Sequence, residues 1–191
     1  MKLVTICCAL SLAGLCDASF ASPLTYKVDP QHSRPRFAYS HFGFSTQMGT
    51  VTKMSGKIVF DADAKTASVD VVIDMTSLTS GSDLLDKHLK SGDFLDTSRF
   101  PEAAFKSTSV AFDGDRPISI SGTLTLHGVA QPVTFNVTSF KHGPHGALQN
   151  REALGGNATA MISRTAFGVG RFAPNVSDDV TITIGLEASK E

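Results

Sequence analysis

Beyond position 21 the chain has no cysteine. Its three cysteines, Cys7, Cys8 and Cys16, all fall in an N-terminal stretch made of Lys2, the apolar run 3–15 and Ser19-Phe20-Ala21. That order predicts a secretory leader cleaved after Ala21. The run is shorter than the ~20 residues of a membrane span and lacks a stop-transfer flank. Leu15 before Cys16 does not fit a lipoprotein signal, which needs a small residue there. A mature segment 22–191 without thiols excludes a disulfide framework, a thiol nucleophile and a thiolate metal site. Export without cysteine suits a bacterial periplasm or outer envelope at least as well as a disulfide-rich secreted milieu, and the redox compartment then places no demand on the fold. Charge of one sign is missing as well: the formal net charge is −1, and the leader removes one basic residue, Lys2, and one acidic residue, Asp17. Near-neutrality offers no electrostatic funnel for nucleic acid. No Pro/Ser linker, charge block or repeat divides 22–191, so it reads as one domain with a sizeable core.

The usual catalytic signatures are also lacking. There is no Gly-x-Ser-x-Gly elbow, no His-Glu-x-x-His and no phosphate-binding glycine loop. Ser33 beside His32 is not a triad, which depends on reach in space and on a third, orienting group. His142 and His145 form a close pair in a Gly/Pro-rich stretch, but no neighbouring motif completes a coordination set. Two alternatives to a binding protein stay open on the residues alone: a packed structural or interaction barrel, and an unrecognised periplasmic hydrolase or isomerase.

What the chain does have is a period of two. Val69/Val71/Ile73/Met75, Ile118/Ile120, Leu124/Leu126, Val133/Phe135/Val137 and Val180/Ile182/Ile184/Leu186 each place apolar groups on one face of an extended segment. Strands are predicted at 24–28, 36–40, 51–61, 67–75, 104–112, 118–127, 133–140, 158–165 and 180–188. Short polar connections such as Asp61-Ala62-Asp63-Ala64-Lys65 and Asp113-Gly114-Asp115 imply an antiparallel meander. Pro132 is compatible only with a strand edge. The glycine-rich stretch 142–157 is compatible with a loop or with a poorly patterned strand. One short helix is predicted at 82–90, capped by Ser82, with Leu85 and Leu89 on one face and Asp86 and Lys90 spaced to pair. Two to three turns cannot stand alone, so the helix must cover something apolar, such as the mouth of a barrel.

Exact motifs narrow this further. Tyr26-x-Val28-Asp29-x-x-His32-Ser33, His41-Phe42-Gly43-Phe44-Ser45, Leu85-Asp86-Lys87-His88-Leu89-Lys90-Ser91-Gly92-Asp93-Phe94-Leu95-Asp96, Phe100-Pro101-x-x-x-Phe105, Gly122-x-Leu124-Thr125-Leu126-His127-Gly128-Val129 and Arg164-x-x-Phe167-Gly168 resemble the YceI-like family, in order and over nearly the whole mature chain. The resemblance implies an all-β, lipocalin-like antiparallel barrel of about eight strands with a short helix near one opening. It also implies noncovalent binding, storage or transport of a polyisoprenoid lipid or quinone-like amphiphile, with no required cofactor, no metal and no turnover. The expected partners are the isoprenoid lipid and, transiently, a membrane, with the protein itself a monomer or weak homodimer. Candidate lining residues are Phe37, Tyr39, Phe42, Phe44, Ile58, Phe60, Val69, Val71, Ile73, Leu85, Leu89, Phe94, Phe105, Leu124, Leu126, Phe135 and Phe167. Leu95, Met54 and Lys87 depart from the family pattern, where a second phenylalanine, an aromatic and an arginine are common. These changes alter cavity width and local pairing without opposing the barrel.

Overall fold

The computed structural model describes residues 22–191. The predicted leader lies outside the described residues. Alternating sequence becomes eleven strands and one helix: β1 (Leu24–Val28), β2 (Arg34–His41), β3 (Ser45–Val51), β4 (Met54–Asp61), β5 (Thr66–Asp74), β6 (Leu78–Thr79), α1 (Asp83–Leu89), β7 (Glu102–Asp113), β8 (Arg116–Leu126), β9 (Val129–His145), β10 (Arg151–Ser163) and β11 (Asp179–Lys190). Strands β1, β4, β5, β7, β8, β9, β10 and β11 pair in that order, and β11 returns to β1, closing an eight-stranded antiparallel ring. The remaining three strands, β2, β3 and β6, extend from β11 as a flap that completes the wall at the α1 end.

Closure is made at one residue. One side of β11 pairs with β2 through 181–185 and with β1 through 188–190, so Glu187 lies at the fork between them. Ser33, fully buried just before β2, satisfies that fork: its Oγ donates to Glu187 O and accepts from Glu187 N, both at 3.0 Å. The backbone N–H of Asp29 donates to the same carbonyl at 2.9 Å. Without Ser33 the backbone N–H of Glu187 would lose its partner where no strand can supply one.

Where the structure differs from the sequence expectations, the cause is local. β3 is absent from the predicted strands because Ser45-Thr46-Gln47-Met48-Gly49-Thr50 has little apolar periodicity. It forms as the partner of β2, with Phe37 opposite Gly49 and its ring lying where a larger residue would carry a side chain. The stretch 142–157 is mostly a hairpin, with β9 and β10 paired from Asn136↔Thr159 to His145↔Arg151 and a bulge at Asn157/Ala158. Glycine at 155 and 156 hides this strand from a pattern-based reading. Pro132 lies inside β9, but opposite Thr123 of β8 only, since the β10 ladder starts at Asn136. It is thus an edge residue in practice, and its missing N–H costs no ladder bond on that side.

The helix forms as its cap predicts: Ser82 Oγ accepts from the Leu85 N–H. The anticipated weak attraction between Asp86 and Lys90 is present but is outranked by hydrogen bonds from Ser80. Burial alone would raise the Asp86 carboxyl, but hydrogen bonds from Ser80 N and Oγ, both at 2.6 Å, outweigh it and hold the group below the usual carboxylate range. Asp86 thereby ties α1 to the segment after β6. The core follows the barrel interior, and a second apolar cluster of Tyr26, Ile58, Phe60, Leu154 and Ala188 fills the end away from α1.

Replacing Ser33 by Ala removes both bonds at the fork. Equilibrium denaturation should register a loss of about 1–3 kcal/mol, the usual cost of stranding a buried backbone group. An unchanged midpoint would mean that Ser33 does not carry closure.

Candidate functional site

The ring encloses an elongated cavity of about 470 Å³ whose wall is almost wholly apolar. Its middle is lined by Val69, Val71 and Ile73 of β5, Phe105 of β7, Ile120, Leu124 and Leu126 of β8, Phe135 and Val137 of β9, and Ile182 and Ile184 of β11. Each comes from the inward positions of an alternating strand, so the period of two is what aims them. Phe105 and Phe135 meet edge to face at 5.2 Å. Glycine at 122 lets the Phe105 ring lie against β8: a Cβ there would collide with that ring and with the backbone of β7.

The two ends differ. Away from α1, Phe60 packs on Phe112 and Phe140, with ring centroids 6.4 and 5.5 Å away. Beneath this aromatic cluster Tyr26 is fully buried, and its hydroxyl lies 2.8 Å from His142 Nε2, which also approaches Glu152 Oε2 at 3.3 Å. Burial, followed by the nearby Glu152 charge, raises the Tyr26 pKa and keeps the phenol neutral. At the other end the wall is completed by Leu85, His88 and Leu89 of α1, Phe94 and Leu95 of the following loop, His41 and Phe42 at the tip of β2, and Phe172. His88 meets Phe94 edge to face at 4.6 Å, and Phe94 meets Phe172 at 6.1 Å. These contacts frame a mouth.

Arg164 builds the mouth loop 164–178. It is buried, and its guanidinium donates to the carbonyls of Ser177 at 2.8 Å, Val176 at 2.7 Å, Arg171 at 3.0 Å and Val169. Loss of hydration lowers its pKa, partly offset by the negative charge of Asp178. Asp178 in turn accepts from Ser163 Oγ at 2.7 Å and Thr165 N at 2.8 Å, and those bonds hold its carboxyl below the usual range. A planar fork with five donors can bind these four carbonyls at once, more than the three donors of a lysine ammonium allow. Arg164 is visible in the sequence only as part of a motif, since nothing in the spacing tells that its partners are backbone oxygens.

All the candidate lining residues except Phe44 and Phe167 face the cavity. Phe44 lies in the β2–β3 turn and is 91% exposed. Phe167 is buried in the core beside the cavity, with its carbonyl 3.1 Å from His127 Nδ1. The candidate list omits Ile120, Val137, Ile182 and Ile184 of the middle and Met75, Phe140, Leu154, Val169, Phe172 and Val176 nearer the ends, all of which also line the wall. Phe140 and Leu154 are hidden by the glycine-rich hairpin and the last three by the irregular loop.

The polar motif residues outside the barrel have local duties. Asp29 and His32 close the turn between β1 and β2, with Asp29 Oδ2 2.7 Å from His32 Nδ1 and Asp29 Oδ1 accepting from Gln31 N. Among the described residues, Asp29, His32 and Glu187 are the one cluster whose donor atoms lie within 4.8 Å of one another, as metal ligands would require. Both His32 and Glu187 are exposed, and His32 is already engaged by Asp29.

An eight-stranded antiparallel barrel around an apolar cavity, with a short helix at its mouth, defines a lipocalin-like fold. The YceI-like domain profile matches residues 26–188, so this chain belongs to the YceI-like family. A UPF0312 protein of Pseudomonas putida is 37% identical over 189 residues, 96% of each chain. Among solved structures, BcnA of Burkholderia cenocepacia superposes with a TM-score of 0.70 at 26% identity, covering 84% of this chain and 99% of that one. A polyisoprenoid binding domain from Saccharophagus degradans, implicated in plant cell wall breakdown, superposes with a TM-score of 0.66 at 18% identity over 88% of this chain and 99% of its own, a likeness of fold.

The turn between β1 and β2 yields a measurable titration. The hydrogen bond and then the charge of Asp29 raise the His32 pKa, while the same hydrogen bond lowers that of Asp29. A raised histidine contributes stability that is complete below its unfolded value near 6.5 and is lost as pH rises through the folded one; a lowered carboxyl contributes above about 3.9 and is lost on acidification. The pair therefore favours the fold most between these limits. NMR titration should show His32 above its ordinary value and Asp29→Asn should return it there; equal His32 titration in both proteins would remove the pair.

Proposed function

We propose that the protein is an exported, noncatalytic carrier that holds one long apolar chain, a polyisoprenoid lipid or isoprenoid quinone, in the barrel cavity. The observation that carries this reading is the elongated, almost wholly apolar cavity, filled by aromatics at one end and framed by a mouth at the other. A methyl-branched chain has apolar surface along its whole length and few polar groups, so its transfer from water to such a wall is favoured by about 25 cal/mol per Å² buried. A cavity of about 470 Å³ is roughly three times one of ~150 Å³ that accepts a single benzene, which gives room for about twenty carbons, or some four isoprene units. A longer chain would leave its remainder and its headgroup at the mouth.

The polar groups that a headgroup would meet there are Tyr39, His41 and His88. Burial raises the Tyr39 pKa, with the Arg164 charge acting the other way, so it offers a neutral hydroxyl. The periplasm as the site of action rests on the leader. The noncatalytic reading is supported by a cavity wall that is almost wholly apolar. The resemblance to the polyisoprenoid binding domain from Saccharophagus degradans supports the ligand class.

Native mass spectrometry of mature protein purified without detergent, followed by organic extraction, tests this reading. One prenyl lipid or quinone per chain is expected. An empty barrel that also fails to bind prenyl alcohols of increasing length would sink it in favour of a packed structural barrel. Filling the middle of the cavity by Ile182→Trp should weaken prenyl binding roughly tenfold or more, since each CH₂ denied burial forfeits about 0.8 kcal/mol. Phe140→Ala at the far end should shift the optimum towards longer chains. Circular dichroism checks that both variants keep the barrel.

A further inference from the structure

Eight large apolar side chains are exposed among the described residues, and half of them, Phe42, Phe44, Leu84 and Phe172, belong to the elements that frame the mouth. Phe42 and Phe172 are each 48% exposed and also line the cavity, so the apolar wall runs out over the rim without a polar break at these two points. Phe44 is two residues further along the same turn, and Leu84 adjoins the lining Leu85 on α1.

The backbone fixes two of the four. Phe42 and Phe172 have φ of 52° and 63°, left-handed conformations that bulky residues rarely adopt and that persist where surrounding structure enforces them. The β2 tip is pinned to the mouth loop: Phe42 N donates to Asn175 O at 2.7 Å, Ser177 N to Ser40 O at 2.9 Å, and His41 bridges Val176. The aromatics are thus held outward by hydrogen bonds. Among the described residues only Phe42 and Phe172 combine a positive φ with an exposed aromatic side chain, and both stand at the cavity opening, which marks a surface used for contact.

Resting on the carrier reading above, we infer that this rim docks on a phospholipid bilayer, with Phe42, Phe44, Leu84 and Phe172 entering the interfacial layer. A chain leaving the cavity then passes along an apolar path into the acyl region and never crosses water. Aromatic and leucine side chains suit that depth. The occupant is lipid rather than protein because the rim continues the wall that holds a membrane-soluble ligand. Charge contributes little. Arg171 pairs with Asp93 and Arg99 with Asp96, while Lys87 and Lys90 of the helix segment are offset by Asp83 and Asp86. Docking should therefore resist salt, unlike adhesion through a basic patch.

The chain contains no tryptophan, so Phe44→Trp reports on the rim alone. With vesicles of phosphatidylethanolamine and phosphatidylglycerol its emission should shift to the blue and be quenched by brominated acyl chains, at low and high salt alike. The double variant Phe44→Asp, Leu84→Asp should pellet with the vesicles at least about tenfold less than the parent while still binding prenyl alcohol, because neither side chain lines the cavity. If the Phe44→Trp protein binds prenyl alcohol but its indole emission is unchanged by vesicles, docking is overturned and the rim is left to a protein partner. Undiminished pelleting of the double variant overturns it equally. Vesicle docking by a protein that takes up no prenyl alcohol supports the rim and defeats the carrier reading instead.

Discussion

The barrel depends on one strand serving two partners. β11 pairs along one side with β10 and divides its other side between β2 and β1, and the division falls at Glu187. A sheet closed this way has no exposed edge along its main wall, but the fork leaves a backbone N–H that neither strand reaches. Ser33 meets that need from the turn that Asp29 and His32 shape. The motif Val28-Asp29-x-x-His32-Ser33 is thus explained by closure, without appeal to ligand or catalysis. Because β2 is freed from the lower wall, it can rise with β3 to carry Phe42 and Phe44 beside the mouth. The same fork that closes the ring places the rim.

The order of strands was legible where alternation is strict. β5 and β11, with unbroken Val and Ile at every second position, appear where a period of two puts them. β3 and the β9–β10 hairpin were less legible, since pairing in space sets them more than their own side chains do. Gly155 and Gly156 offer no pattern, yet they sit in register with β11 from Asn157↔Gly185 to Ala153↔Ser189. The helix was legible through its cap, but its anchor was not. Spacing suggested that Asp86 would pair with Lys90, whereas Ser80, folded back after β6, reaches it first. A neutral hydroxyl and a backbone N–H in a half-buried site outcompete a solvated ammonium, whose ion pair gains little at the surface.

Most of the middle lining was readable for the same reason as the strands, since inward positions of an alternating barrel are cavity positions; Ile120, Val137, Ile182 and Ile184 lay in the alternating pattern but were not singled out. At the mouth Phe42, Leu85, Leu89 and Phe94 were readable, while Val169, Phe172 and Val176 were not, because they come from a loop whose shape is dictated by one side chain. Arg164 gathers four carbonyls of the segment 169–177. Such an arrangement stores positional information in backbone oxygens, which every residue possesses, so no sequence pattern betrays it. Phe172 and Val176 become lining residues only once Arg164 has folded the loop over the barrel end.

An eight-stranded barrel is just wide enough for side chains to fill. This one fills only its far end, where Phe60, Phe112 and Phe140 converge over Tyr26 and His142. Along the middle the inward positions carry Val, Ile, Leu and Ala, with Phe105 and Phe135 turned edge to face, and the residual space is continuous. Such space costs packing energy that a structural barrel would have no reason to forgo, since larger side chains at Val71 or Ile182 would recover it. A ligand that occupies the space restores those contacts and couples its own binding to the stability of the fold. Apart from Phe105 and Phe135, the aromatics gather towards the two ends, filling one and, at the other, standing around the opening with Phe42 and Phe172 partly exposed.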